Sequence, residues 1–141
     1  MGNTHSVNKI NFETLQDIIN NNIKTSRFII INTLDETSQE CLIYGSLSNY
    51  REVETINEYL KQDKSINIVI YGENCCDNRV IDKYNQLFKL GFINIFVYIG
   101  GLFEWLLLQD IYGEDEFKTT SKQLDILKYK GKLQLKLKLK L

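Results

Sequence analysis

Cys75, Cys76, Asp77 and Arg79 fall within five positions of one another at the end of the stretch INIVIYGENCCDNR, Ile66 to Arg79. Apolar residues lead into a short polar loop. A deprotonated thiol is a nucleophile, and an arginine is a strong hydrogen-bond donor to anions. Cys76 is either a resolving thiol for its neighbour or a bystander. The single histidine, His5, lies in the N-terminal tail, so the body cannot build a Cys–His or Ser–His pair. No second ligand stands at useful spacing from it, and neither a metal nor a cofactor is expected.

The elements that must position this loop follow from periodicity. Asn11 to Ile23 carries Phe12, Leu15, Ile18, Ile19 and Ile23 at helical spacing, with Asn11 as the N-cap. RFIIINTL, Arg27 to Leu34, is a short β-branched run of the kind buried on both faces of a parallel sheet. A second strand is predicted over CLIY, Cys41 to Tyr44, where Cys41 reads as a small buried hydrophobe. Glu52 to Leu60 forms an amphipathic helix through Val53, Ile56 and Leu60. After the loop, Val80 to Leu90 shows an apolar stripe of Val80, Ile81, Tyr84, Leu87, Phe88 and Leu90, stopped by Gly91. Asn94 to Ile99 is a further buried strand, Gly100 and Gly101 a turn, and Leu102 to Leu108 a strongly apolar helix around Trp105. Strand and helix alternate, which predicts an α/β domain with a mostly parallel sheet and helices on both faces.

Size and composition agree with one domain: 141 residues, 43% hydrophobic and 25% charged. A formal net charge of -1 gives no global attraction to nucleic acid, and none is expected as a partner. Three cysteines, an odd number, point to free thiols in a reducing, cytoplasmic setting. No run approaches the roughly 18 to 20 apolar residues of a membrane span, so the body is expected to be soluble. The start, MGNTHS, matches the acceptor pattern for N-myristoylation at Gly2, given a eukaryotic cell or a virus that infects one.

Residues 111–131 read as a surface extension, with Glu114 to Glu116 a solvated turn. The end, KLQLKLKLKL over 132–141, alternates leucine with cationic or polar residues. It suits a low-complexity extension, a membrane-surface segment or an added edge strand.

The order GF, apolar strand, GGxxxW in GFINIFVYIGGLFEW, Gly91 to Trp105, resembles the rhodanese-like domain family. RFIIINTL and CLIYGSL are similar to that family's first long strand and the segment that follows it. Asn32 stands where the family has an acid, Leu34 where an arginine often follows, and Leu42 and Tyr44 replace its histidine and proline. The resemblance spans residues 11–110 and implies a five-stranded rhodanese-like fold with the active site between the fourth strand and the next helix. In active members that loop opens with a nucleophilic cysteine and ends with an arginine. Backbone N–H groups at the helix start would lower the thiol pKa there and stabilise a persulfide. Arg79 matches the arginine, but Gly72 takes the place of the nucleophile, and the loop, Gly72, Glu73, Asn74, Cys75, Cys76, Asp77, Asn78 and Arg79, is about two residues longer. Phosphatase-like relatives have a longer loop, but theirs too begins with cysteine.

The resemblance therefore implies a catalytically degenerate rhodanese-like binding or scaffolding module. It would be tethered at a membrane surface through a Gly2 lipid and the C-terminal lysines, and engage a protein partner. The alternative is a sulfurtransferase with Cys75 as persulfide carrier and Arg79 as the residue that positions the donor.

Overall fold

In the computed structural model, which describes residues 7–25, 27–133 and 135, five strands form one sheet. They are β1 (Lys9–Ile10), β2 (Phe28–Asn32), β3 (Ser46–Leu47), β4 (Asn67–Tyr71) and β5 (Ile95–Tyr98), in spatial order β1-β5-β4-β2-β3. Every pairing is parallel. Four helices connect or follow them: α1 (Phe12–Thr25), α2 (Asn49–Gln62), α3 (Asn78–Lys89) and α4 (Gly101–Tyr112).

β4 is the centre of the sheet, with Ile68, Val69, Ile70 and Tyr71 all fully buried. Alternate residues of a strand face opposite ways, so an unbroken apolar run is what two covered faces require. Val69 and Tyr71 point into one core with Leu15, Ile18 and Ile19 of α1 and Leu102, Trp105 and Leu106 of α4. Ile68 and Ile70 point into the other, with Ile56 of α2 and Val80, Tyr84 and Leu87 of α3. The expected two-sided α/β architecture is present, and the sheet is parallel throughout.

Local signals mark the start of α1 and the end of α3, where Gly91 takes a φ of +104°. The Asn11 side chain accepts the Thr14 N–H at 3.0 Å, the N-cap bond of α1. On α3 the buried face is narrower than the sequence stripe: Ile81, Phe88 and Leu90 are about two-fifths exposed.

The expected strand over CLIY does not form. Cys41, Leu42 and Ile43 are buried as such a strand would be, but their backbone does not join the ladder of the sheet and pairs instead with the C-terminal segment. Thr120 N–H donates to Leu42 O at 2.8 Å, Tyr44 N–H to Lys118 O at 3.0 Å, and Ile43 bridges Thr119 antiparallel. The strand proper is the two-residue β3 just beyond the Gly45 turn. β1 is also two residues long, too short for any periodicity to mark it.

The segment after α4 folds back across that helix, which explains a helix apolar on nearly every side. Trp105 Nε1 donates to Lys118 O at 3.0 Å, and Gln109 Nε2 to Phe117 O at 2.7 Å. Phe117 and Tyr129 are buried in the same core as Trp105. Of the Lys/Leu tail, Lys132, Leu133 and Leu135 are described; they are exposed and carry no regular structure. Gly2 lies outside the described residues.

Tyr71 ties the sheet to this arrangement. Its buried hydroxyl accepts the Ile43 N–H at 3.1 Å and pairs with Ser46 Oγ at 2.7 Å. Burial pushes the phenol far above its ordinary pKa, so it stays a neutral donor and acceptor. Tyr71→Phe should leave the Ile43 N–H unpaired and cost roughly 1–3 kcal/mol. Urea unfolding followed by circular dichroism should show a lower midpoint at unchanged slope.

Candidate functional site

The chain runs from β2 outward to β3 and then, after α2, restarts at β4 and proceeds the other way to β5. The carboxyl ends of β2 and β4 therefore flank the point where strand order reverses, the usual place for a ligand site in an open α/β sheet. Asp35 follows β2 there, and Gly72 to Asp77 follow β4.

The loop is held from three directions. Leu102 N–H and Phe103 N–H, at the start of α4, donate to Gly72 O and Glu73 O at 2.9 and 2.8 Å. That approach needs a glycine at 101, where φ is +68° and a Cβ would lie 2.7 Å from Gly72 O and 2.8 Å from Asn74 N. Asn74 Nδ2 donates to Tyr129 O at 2.8 Å, fastening the loop to the C-terminal segment. Asp77 N–H donates to Asn74 O at 3.3 Å, closing a turn with Cys75 and Cys76 at its two central positions.

The third hold is Asp77 itself. Its carboxylate accepts Glu73 N–H at 3.0 Å and Arg79 N–H at 3.1 Å, capping α3. It also takes a bidentate contact from Arg79, Nε at 3.0 Å and a terminal nitrogen at 2.9 Å. Burial alone would raise this carboxyl's pKa, but the Arg79 guanidinium and the two backbone donors outweigh it and hold the pKa below the ordinary value. The remaining terminal nitrogen of Arg79 reaches Asp35 at 2.7 Å, and the one bonded to Asp77 also lies 3.6 Å from Glu73. The guanidinium is thus engaged by the protein's own carboxylates.

This arrangement accounts for Gly72. A Cβ there would stand 2.5 Å from Asp77 Oδ2 and 2.7 Å from Val80 Cγ2. Residue 72 therefore has no room for a side chain while Asp77 faces inward.

The sequence-derived residues separate into two groups. Arg79, Asp77 and Glu73 meet at the loop's inner side. Cys75 and Cys76 are exposed at its tip, with their sulfurs 3.8 Å apart. The neighbouring Cys76 thiol, with partial desolvation and the Glu104 charge, pushes the Cys75 pKa up, which disfavours the thiolate. Cys41 is buried, and burial raises its pKa too.

Two residues here escape sequence reasoning. Asp35 reaches Arg79 only because β2 and β4 are neighbours. Glu104, in the first turn of α4, accepts the Tyr98 hydroxyl at 2.7 Å beneath the cysteine tip. An acid at a helix start was the available signal for it, but ordinary dipole pairing gives the same pattern.

No protein-family model matches the sequence, and neither does any curated protein. Solved structures do match in fold. A yeast protein tyrosine phosphatase of the rhodanese family is 16% identical, with a TM-score of 0.59 over 87% of this chain and 99% of that one. A protein from Anabaena sp. is 22% identical, at 0.55 over 74% and 88%. A thiosulfate sulfurtransferase from Pseudomonas aeruginosa is 14% identical, at 0.56 over 72% of this chain and 19% of its own length.

Asp77→Ala should destabilise the protein by about 2–4 kcal/mol: breaking a buried charged pair costs roughly 3–5, and Arg79, 39% exposed, can rehydrate. The sign with pH follows from the lowered pKa. Asp77 contributes its full stabilisation above its unfolded value of about 3.9 and loses it as pH falls through the lower folded value. Chemical denaturation between neutral and acid pH should show the wild type converging on the variant only at the acid end. Separately, Gly72→Ala should cost roughly 1–3 kcal/mol by overpacking, less in an Asp77→Gly background, measured as a double-mutant cycle.

Proposed function

We propose that this chain, which has the rhodanese-like fold, is a catalytically degenerate binding module that engages a protein partner at a membrane surface. One observation supports the reading: the Asp77 carboxylate turns into the loop against Gly72, the position to which the family resemblance would assign the nucleophile. It accepts from Glu73 N–H, Arg79 N–H and the Arg79 guanidinium, groups suited to an incoming anion. Asp35 and Glu73 add negative charge on the same side, which opposes thiosulfate or phosphate. Among the described residues no helix is long and apolar enough to cross a membrane, so attachment would rest on lipid and charge. A single myristoyl chain at Gly2 binds membranes only marginally, and the C-terminal lysines would supply the second signal.

The second reading, a sulfurtransferase with Cys75 as persulfide carrier and Arg79 as the residue that positions the donor, is favoured by the exposure of Cys75 at the tip. Against it stand the raised Cys75 pKa and an arginine already paired with Asp77 and Asp35.

Thiocyanate formation from thiosulfate and cyanide should not exceed that of Cys75→Ser. Turnover by the wild type that the variant loses would establish the second reading. In the host cell, Gly2→Ala should move the protein from the membrane to the soluble fraction. An unchanged distribution would remove the tether from the proposal.

A further inference from the structure

The two exposed thiols at the loop tip are placed as a chelate. Cys75 and Cys76 occupy the central positions of a turn closed by Asp77 N–H to Asn74 O, and Cys76 N–H donates to Asn74 Oδ1 at 2.8 Å. Asn74 is tied to Tyr129 and the backbone before it to α4, while Asp77 at the other end is held by Glu73 N–H and Arg79, so the turn that carries the sulfurs is fixed at both ends. Their separation is 3.8 Å. Two thiolates at the Zn–S distance of about 2.3 Å, subtending a tetrahedral angle, stand about 3.8 Å apart. The pair needs little movement to hold one metal ion.

Charges of both signs lie around the tip. Glu104 acts electrostatically on Cys75 and Glu73 flanks the turn, while Gly131, between Lys130 and Lys132, passes beside Cys76. The sulfur geometry, not the field, therefore carries the choice of ligand. Thiolate sulfur in turn selects soft ions over magnesium or calcium.

We infer that Cys75 and Cys76 form a binding site for a soft divalent cation of the zinc group. The ion bonds to both sulfurs, and the two thiol protons pass to solvent. Among the described residues no three His, Cys, Asp or Glu side chains are grouped to enclose a metal. The site is therefore an open dithiolate, with water in the remaining positions and able to exchange its ion.

Titrating the full chain with Cd2+ alone, under a thiol-free reductant, tests this through the thiolate-to-metal charge-transfer absorption. One equivalent should bind per chain. Cys75→Ser and Cys76→Ser should each weaken binding by roughly 100-fold or more, since even outer-shell partners of metal ligands contribute about 10- to 100-fold. Cys41→Ser should bind as the wild type does, and Zn2+ in large excess should reduce the signal by competition. Absorption that survives in the double Cys75→Ser, Cys76→Ser variant, or that is lost in Cys41→Ser, overturns the assignment. Half an equivalent with a doubled mass in solution overturns the single-chain chelate in favour of four thiolates shared by two copies.

Discussion

The contact between Asp77 and Arg79 sets the form of the whole loop. One carboxylate caps α3, accepts the Glu73 N–H from the start of the loop and receives the guanidinium in a two-bonded fork. Charge-assisted bonds of this geometry are stronger than neutral ones, and on a mostly buried acid they are hard to exchange for water. The other features follow from where that carboxylate sits. Gly72 can be nothing larger, Arg79 is not free to hold an external anion, and the cysteines are displaced to the outside of the turn.

The loop also depends on what lies behind it. α4 gives two N–H groups to the loop carbonyls, and Gly101 allows its backbone to come that close. α4 is in turn enclosed by the segment after it, through Trp105 and Gln109 and through the buried rings of Phe117 and Tyr129. That segment returns to the loop at Asn74. Loop, helix and C-terminal segment form a closed circuit of bonds, in which the ion pairs of Arg79 with Asp77 and Asp35 sit beside a pair of exposed thiols.

Much of the fold is legible residue by residue. RFIIINTL, INIVIY and NIFVYI read as strands covered on both faces, since each apolar run is too short for a helix and too continuous for a half-exposed strand. CLIY has the same composition yet pairs with residues 118–120, because burial and β-propensity report that a strand-like segment is covered but not which backbone covers it. The candidate site is legible in the same partial way. Gly72 marks a missing side chain, and Asp77 and Glu73 mark negative charge. That Asp77 turns inward to occupy the space left by Gly72 depends on contacts beyond any local pattern.

The sequence by itself determined the alternating elements, the paired glycines ahead of the tryptophan helix, the position of the loop after the central strand and the lack of a histidine in the body. These are local properties, set by side-chain period and backbone freedom. Only the tertiary structure decided that Asp35 would meet Arg79 across two neighbouring strands, that the extension would roof α4, and that the two thiols would stand at chelating distance on a clamped turn. Each joins groups remote in sequence or depends on the direction a side chain takes, and packing of the whole chain selects among the conformations that the local sequence leaves open.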